Sequence, residues 1–217
     1  MKLNHLTSLL AAAAACLITR CSDPADDVHK TAASDPKKTG SGSSASGKEY
    51  VIRAESTIGF VGSKVTGSHN GGFKNFAGKL NVAGGKLVGV PEIKIATGSL
   101  WADNDRLTGH LKSPDFFDVA TFPVATFTAT SIAPAGAQYN VTGNLDLHGV
   151  TKSVSFPAAI QIADAAVTVK AEFAINRKDF NINYPGRPND LIRDNVVIKL
   201  DLRATPGPAR PEDQLAN

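Results

Sequence analysis

Arg106 and His110 are the residues whose types and spacing offer the clearest chemistry in this chain. They stand four residues apart, with Asp105 and Lys112 close by. Residues at this spacing share one face of a helix, so the two cations could together hold a phosphate or quinone oxygen. The alternative is a solvated helix face, which is favoured for Lys112 and less clearly for the other two. Asp105 with His110 is also the one nearby pair that could act as acid and base.

Other catalytic or metal-binding patterns are missing from the sequence. The three histidines of the candidate domain do not stand at metal-ligand spacing with a second His, Cys or Glu: they are His69, His110 and His148. No serine has the context of a nucleophile elbow. The formal net charge of +3 is too small to indicate nucleic-acid binding. The sequence therefore predicts a protein that is not an enzyme, with no metal, no cofactor and no nucleic-acid partner.

Alternation of apolar and polar residues dominates the middle of the chain and predicts strands with one buried face. Clear runs begin at Tyr139, Val154, Val167 and Ile198, and further strands are expected around 50–53, 57–65, 76–82, 86–95 and 124–132. About eight or nine strands with short connections indicate an antiparallel sandwich or barrel, and periodicity alone does not choose between them. One helix is predicted from about Asp103, its N-cap, to Leu111, as a lid or plug that Pro114 ends.

Small residues on the apolar strand faces suggest an internal cavity. Ala stands where a packed core would need Leu or Phe, at Ala125, Ala129, Ala158 and Ala171. If these side chains point inward, they leave volume that a protein interior does not ordinarily tolerate unless a ligand fills it. Close approach between strands is an equally compatible explanation. Trp101 could anchor the helix or form part of a cavity wall.

Three segments carry a family resemblance: IGFVGSKVTGSHNGGFKNFAGKL at 58–80, RLTGHLKSPDFFDVATFPVATF at 106–127 and GNLDLHGVTKSVSFP at 143–157. They resemble the YceI-like family, whose known members are exported bacterial proteins that form a lipocalin-like barrel around a polyisoprenoid chain. The family's motif also carries an Arg at the position of Arg106. One departure is an Asn-Gly-Gly run at 70–72, in what is expected to be a loop.

The resemblance implies an all-β fold, an antiparallel lipocalin-like β-barrel of about eight strands with one short helix near the barrel mouth. It implies an apolar tunnel for an isoprenoid-type lipid, although for any single Phe a plain core role is the commoner one. The expected ligand-binding residues are Phe73, Phe76, Trp101, Arg106, His110, Phe116, Phe117, Phe127, Ala129 and Ala171.

The N-terminal region reads as an export signal followed by a tether. Residues 1–21 combine a basic start with an apolar run too short to span a bilayer, and they end with the two cysteines. A lipid anchor is predicted on Cys16, which follows three alanines, with Cys21 as the alternative. Ordinary cleavage after those alanines would instead release a soluble periplasmic protein. Residues 22–48 are predicted to be a flexible linker, 49–204 the barrel domain and 205–217 a disordered tail.

The predicted function is non-catalytic binding, carriage or sequestration of an isoprenoid-type lipid, such as a quinone or polyprenyl phosphate, in the cell envelope. The predicted partners are that lipid and a membrane, reached through the lipid anchor, and a homodimer is left open. The competing hypothesis is an envelope interaction or stress-response module that has a packed barrel and no lipid ligand.

Overall fold

The computed structural model describes residues 23–39 and 47–215. Its strands are β1 (His29–Lys30), β2 (Lys48–Ile52), β3 (Thr57–Lys64), β4 (Gly67–Phe73), β5 (Phe76–Ala83), β6 (Lys86–Ala96), β7 (Leu100–Ala102), β8 (Val124–Ala135), β9 (Gln138–Leu147), β10 (Val150–Ile162), β11 (Val167–Asn176), β12 (Gly186–Arg187), β13 (Asp190–Leu191) and β14 (Asn195–Pro206). The helix α1 (Asp105–Lys112) lies between β7 and β8. Short 3₁₀ helices occupy Thr97–Ser99, Arg177–Phe180 and Pro211–Asp213.

Eight strands close into a barrel. Their order around the ring is β11, β10, β9, β8, β6, β5, β2 and β14, and β14 pairs again with β11. Neighbouring strands in the ring are antiparallel. β14 also pairs with β3, which continues the wall through β4 to β7. The prediction of an all-β antiparallel barrel with one short helix is confirmed. Across the described ranges, no helix has the length and hydrophobicity needed to span a bilayer.

β4 lies where the sequence predicts a loop, so that expectation is wrong. The strand contains the Asn-Gly-Gly run and pairs with β3 from Gly67 back to Phe73. A Cβ at Gly71 would lie 2.3 Å from the ring of Phe60, the residue opposite it on β3. A glycine in a strand often marks such a close approach. The run that looks like a turn therefore makes room for an aromatic ring in the barrel wall.

The helix begins later than predicted, and its cap is a different residue. The side chain of Asn104, not Asp103, accepts a hydrogen bond from the Leu107 N–H at 3.0 Å. Asp103 instead accepts from His69 Nδ1 and from the Asn70 N–H, each at 2.8 Å. Its carboxylate thus ties the helix entrance to β4, which a sequence-local argument does not anticipate.

Residues 23–39, which we term the strap, pack against the barrel where the sequence predicts a flexible linker. β10 and β11 pair only over Ala159–Ile162 and Val167–Lys170. Beyond that point, β1 pairs in parallel with β11 at Phe173 and Ala174. Ser34 exchanges two backbone hydrogen bonds with Ser153 of β10, at 3.0 and 2.9 Å. The strap therefore fills the gap where the two barrel strands separate, which we term the closed seam.

Side chains of the strap add to this closure. The Thr31 hydroxyl donates to the Ser155 carbonyl, and the Ser155 N–H donates back to it at 3.0 Å. Ala25 is fully buried against Val61, Ala174 and Val197 on the outer side of the barrel. Local composition indicates a tether because the strap has few apolar residues. Its order comes from hydrogen bonds to strands more than a hundred residues away.

The C-terminal segment is also ordered where a disordered tail is predicted. Asp213 is 1% exposed and pairs with Arg53 at 2.6 Å. Arg53 donates further hydrogen bonds to Thr205, Pro206 and Pro208. Burial alone would raise the pKa of Asp213, but hydrogen bonds from Arg210 and Arg53 outweigh it and hold that pKa well below its ordinary value. A buried ion pair thus fixes this segment between β2 and the end of β14.

A second gap in the wall lies between β6 and β8. These strands pair from Glu92 to Ala96 and from Val124 to Thr128. Below this ladder, residues 86–91 of β6 have no partner on β8, which continues to pair with β9. β6 also bulges away from β5 here, and Gly89 has φ of 76°. We term this gap the open seam, since no described segment fills it.

Candidate functional site

The barrel encloses a cavity of about 880 Å³. Every strand of the ring contributes to its wall, and most of the wall side chains are aliphatic or aromatic. This volume lies in the upper part of the roughly 300–1,000 Å³ range typical of ligand sites. Well-packed interiors leave few voids larger than a water molecule. The barrel is therefore hollow, and the competing hypothesis of a packed barrel loses its premise.

Aromatic rings form a band around the middle of the cavity. Phe156 and Phe173 stack with centroids 4.0 Å apart across the closed seam, and Phe127 lies 5.7 Å from Phe156. On the other side, Phe73 contacts Phe60 at 6.1 Å and Phe117 at 5.7 Å. Below the band the wall is aliphatic, and above it polar side chains appear. The cavity thus has an apolar body and one polar end.

The polar end is the mouth of the cavity. It forms where α1, the β3–β4 turn and the connection from β11 to β14 come together, and it is lined by Lys64, His69, Asn104, Arg106, Arg187 and Asp190. Two of these basic side chains have acidic partners. Lys64 pairs with Asp190, whose pKa this hydrogen bond lowers, and His69 pairs with Asp103 at 2.8 Å.

Arg106 and Arg187 carry the uncompensated charge of the mouth. Both side chains line the cavity on exposed residues, and neither makes an ion pair or hydrogen bond within the described ranges. Arg106 is on α1, while Arg187 is on the β12–β13 hairpin. A guanidinium group binds carboxylates and phosphates through paired hydrogen bonds, and here two such groups from separate elements line one mouth. The mouth therefore fits a ligand with an anionic or strongly polar head.

His110 is held in place rather than free in the mouth. Its Nε2 hydrogen-bonds to Asp115 at 2.8 Å, so its acidic partner is Asp115 and not the predicted Asp105. Its ring packs edge-on against Phe116 and Tyr184, with centroids 5.0 Å away in each case. This packing places the imidazole at the boundary between the apolar body and the polar mouth. Sequence reasoning missed Tyr184, which no periodic pattern marks.

Arg177 supports the mouth from below. It is 4% exposed and donates to the carbonyls of Ile182, Ile192 and Arg193 at 2.5, 3.3 and 3.1 Å. Burial lowers its pKa, and Asp194 opposes that change. The residue thus folds the 177–194 connection over the barrel end, which places Tyr184 and Arg187 beside the helix.

The structure brings seven of the ten predicted ligand-binding residues to the cavity: Phe73, Arg106, His110, Phe116, Phe117, Phe127 and Ala129. The other three lie elsewhere. Phe76 borders a smaller pocket beside Pro211. Trp101 is 38% exposed between the buried Leu100 and Ala102, on the opposite face of β7. Ala171 packs against the core without lining the cavity. Cys16 and Cys21 lie outside the described residues.

Comparison with known proteins places this architecture among similar chains. A model of the YceI-like domain matches residues 50–204. A UPF0312 protein of Pseudomonas putida is 33% identical over 169 residues, which cover 70% of this chain and 85% of the relative. Protein YceI of Salmonella newport is 35% identical over 154 residues, which cover 64% and 78% of the two chains. The strap lies ahead of the matched domain.

Solved structures show the same fold. The crystal structure of Burkholderia cenocepacia BcnA has a TM-score of 0.64 and 30% identity, covering 70% of this chain and 98% of that chain. A polyisoprenoid binding domain from Saccharophagus degradans has a TM-score of 0.62, covering 74% of this chain and 99% of that one. At 20% identity, the second likeness shows the fold alone.

Proposed function

Because this chain belongs to the YceI-like family, we propose that its barrel binds an isoprenoid-type lipid, such as a quinone or a polyprenyl phosphate, without chemical change. The observation that carries this proposal is the polarity of the cavity. A long apolar body ends in a polar mouth, where two arginines make no ion pair or hydrogen bond with another described residue. The polyisoprenoid binding described for the Saccharophagus degradans domain supports the same ligand class.

The apolar body suits a branched hydrocarbon tail. Burying such a tail stabilises the complex by about 25 cal/mol for each Å² removed from water. The wall gives it aliphatic methyl groups below and ring faces in the middle, such as the stacked Phe156 and Phe173. Because this region of the wall has few polar atoms, a bound hydrocarbon tail would leave few donors or acceptors of the wall without a partner. This part of the cavity therefore selects for apolarity.

The mouth suits the head group. Charge-assisted hydrogen bonds from Arg106 and Arg187 would favour a phosphate, and His110 lies close enough to contact a quinone oxygen. The Asp115 contact and the packing of both ring neighbours fix the imidazole in one orientation. We assign His110 to head-group positioning and propose no catalytic step.

The export signal predicted over residues 1–21 supports the proposal of a location in the cell envelope. In this proposal the protein is held at a membrane by a lipidated Cys16, or by Cys21 as the alternative, and shields an isoprenoid from water. Labelled palmitate should then enter the protein. Substituting the modified cysteine with serine should release the protein into the soluble periplasmic fraction.

The test is mass spectrometry of organic extracts of the purified full chain. We expect an isoprenoid lipid in the parent. Ala129→Trp should lower the lipid content, because Ala129 is 4% exposed and lines the cavity. Ala133→Trp is the matched control, since Ala133 is an exposed residue of the same strand. A parent that carries no lipid and takes up no added polyprenyl phosphate would overturn the proposal.

A further inference from the structure

The outer rim of the mouth carries two neighbouring apolar side chains. Val65, in the β3–β4 turn, is 55% exposed, and Leu191, in β13, is 50% exposed. The Val65 N–H donates to the Leu191 carbonyl at 3.2 Å, so the two residues are adjacent. We term their side chains the apolar tips. They are two of the four large apolar residues that are exposed across the described ranges. Isolated exposed apolar residues are common, whereas a pair on touching turns needs an explanation.

The same rim carries the uncompensated cations. Arg187 precedes Leu191 in the β12–β13 hairpin, and Arg106 faces the mouth from α1. Asp190, which lies opposite Arg187 in the hairpin, forms an ion pair with Lys64 and accepts hydrogen bonds from Thr66. Apolar tips flanked by free basic groups are the combination that binds an anionic bilayer surface.

The strap brings the N-terminal side of the chain to this rim. Asp23 pairs with Arg193 at 3.4 Å and accepts from the Ser63 hydroxyl at 3.4 Å. Ser63 and Arg193 are joined by a backbone hydrogen bond at 2.9 Å and lie beside the two apolar tips in sequence. Because the strap is docked along its length, its first described residue, Asp23, lies at the rim of the mouth. A flexible linker over 22–48 would have fixed no such point.

We propose that this rim, formed by Val65, Leu191, Arg106 and Arg187, docks on an anionic phospholipid bilayer with the cavity mouth facing the lipid head groups. The tips enter the interface while the arginines contact phosphates. Val65 and Leu191 lie outside the cavity lining, so their role in docking does not depend on the isoprenoid proposal, whereas Arg106 and Arg187 are shared with the proposed head-group site. Docking gives that proposal a route, because a lipid tail could pass between bilayer and barrel without crossing water.

Vesicle flotation tests the docking surface in the full chain with Cys16→Ser and Cys21→Ser, so that no lipid anchor contributes. We expect binding to phosphatidylcholine vesicles only when phosphatidylglycerol is included, and weaker binding as salt rises. Adding Val65→Asp and Leu191→Asp should weaken binding by about tenfold or more, since both tips then lose their apolar contact. Arg106→Ala with Arg187→Ala should weaken binding to the anionic vesicles and remove most of the salt dependence.

The matched control is Ala137→Asp with Ala165→Asp. It adds the same two charges to exposed residues of the β8–β9 and β10–β11 turns, at the opposite end of the barrel. We expect it to bind as the parent does. The proposal would be overturned if the Val65→Asp, Leu191→Asp variant bound vesicles as well as the parent. It would also be overturned if the control lost as much binding as that variant. So would a dimer of the parent that the rim substitutions dissociate, since a second copy would then be the occupant.

Discussion

The barrel wall contains two seams, and a described segment of the chain fills one of them but not the other. At the closed seam, β10 and β11 separate beside the stacked Phe156 and Phe173, and the strap hydrogen-bonds to both strands. At the open seam, β6 and β8 separate beside aliphatic cavity residues, and no described segment fills the gap. The strap lies outside the 50–204 match, so the wall of the matched domain is completed by a segment that precedes it. A sequence boundary of a family domain is therefore not its structural boundary here.

The largest loss of stability is expected at the buried ion pair of the C-terminal segment, and the effects at the two seams can be compared with it. Arg53→Ala should lower the free energy of unfolding by about 3–5 kcal/mol, because it removes the buried ion pair with Asp213 and the hydrogen bonds of Arg53 to Thr205, Pro206 and Pro208, and leaves Arg210 as the remaining cationic partner of that carboxylate. Chemical denaturation of the full chain measures this loss. Arg106→Ala is the control and should change stability by no more than about 0.5 kcal/mol, since Arg106 is exposed and its side chain makes no ion pair or hydrogen bond with the part of the chain that the structure describes. Equal effects of the two substitutions would contradict the structural role assigned to Arg53.

At the closed seam, Ser34→Pro should destabilise the protein by about 1–3 kcal/mol, because it removes the donor to the buried Ser153 carbonyl. Amide exchange of Ser153 and Ser155 should also become faster. Lys38→Pro is the control, since the Lys38 N–H, unlike that of Ser34, donates no hydrogen bond to another described residue. If both variants keep the parent's stability, the strap does not close the seam in solution.

The pH dependence of stability should separate the ionic segment from the strap. The pKa of Asp213 is lower in the folded protein than in the unfolded chain, so its contribution is complete above about pH 4–5 and is lost as the pH falls below that range. Asp213→Asn should flatten this acid-side decline. Ser34→Pro should lower stability by the same amount across the range, because its hydrogen bonds join neutral groups. A decline of equal slope in parent and Asp213→Asn proteins would show that other carboxylates control it.

The smallest effect is expected at the open seam. Ile132→Ala, on the β8 side, should cost about 1–2 kcal/mol, near or below the low end of core truncations, because the residue is only partly buried and the site can relax toward solvent. Phe156→Ala at the closed seam is the comparison and should cost about 3–5 kcal/mol. Thermal or chemical denaturation measures both. A larger loss at Ile132 would mean that the open seam is well packed.

Strands with strong alternation were predictable because both of their faces are defined by local sequence. β9, β10, β11 and β14 are strands of this kind. The mouth residues of α1 were predictable for another reason, because they lie in a segment that resembles the family's motif. β4 and the strap were not predictable, because a glycine run and a polar segment become ordered only through partners distant in sequence. The same reason explains why Tyr184 was missed and why Trp101 was misplaced. Residue type suggested a wall aromatic, but only the strand register shows which face it occupies.

The open seam affects which lengths of isoprenoid tail the cavity would accept. A pocket that is closed at its far end limits the tail length, since a chain one unit too long meets a wall. Here Leu87 and Pro91 of β6 and Ile132 of β8 line both the cavity and the gap between those strands. A long tail could emerge sideways there, so the barrel would set a minimum length for tight binding and no sharp maximum. Discrimination among ligands would then fall to the head group and to the two arginines that meet it.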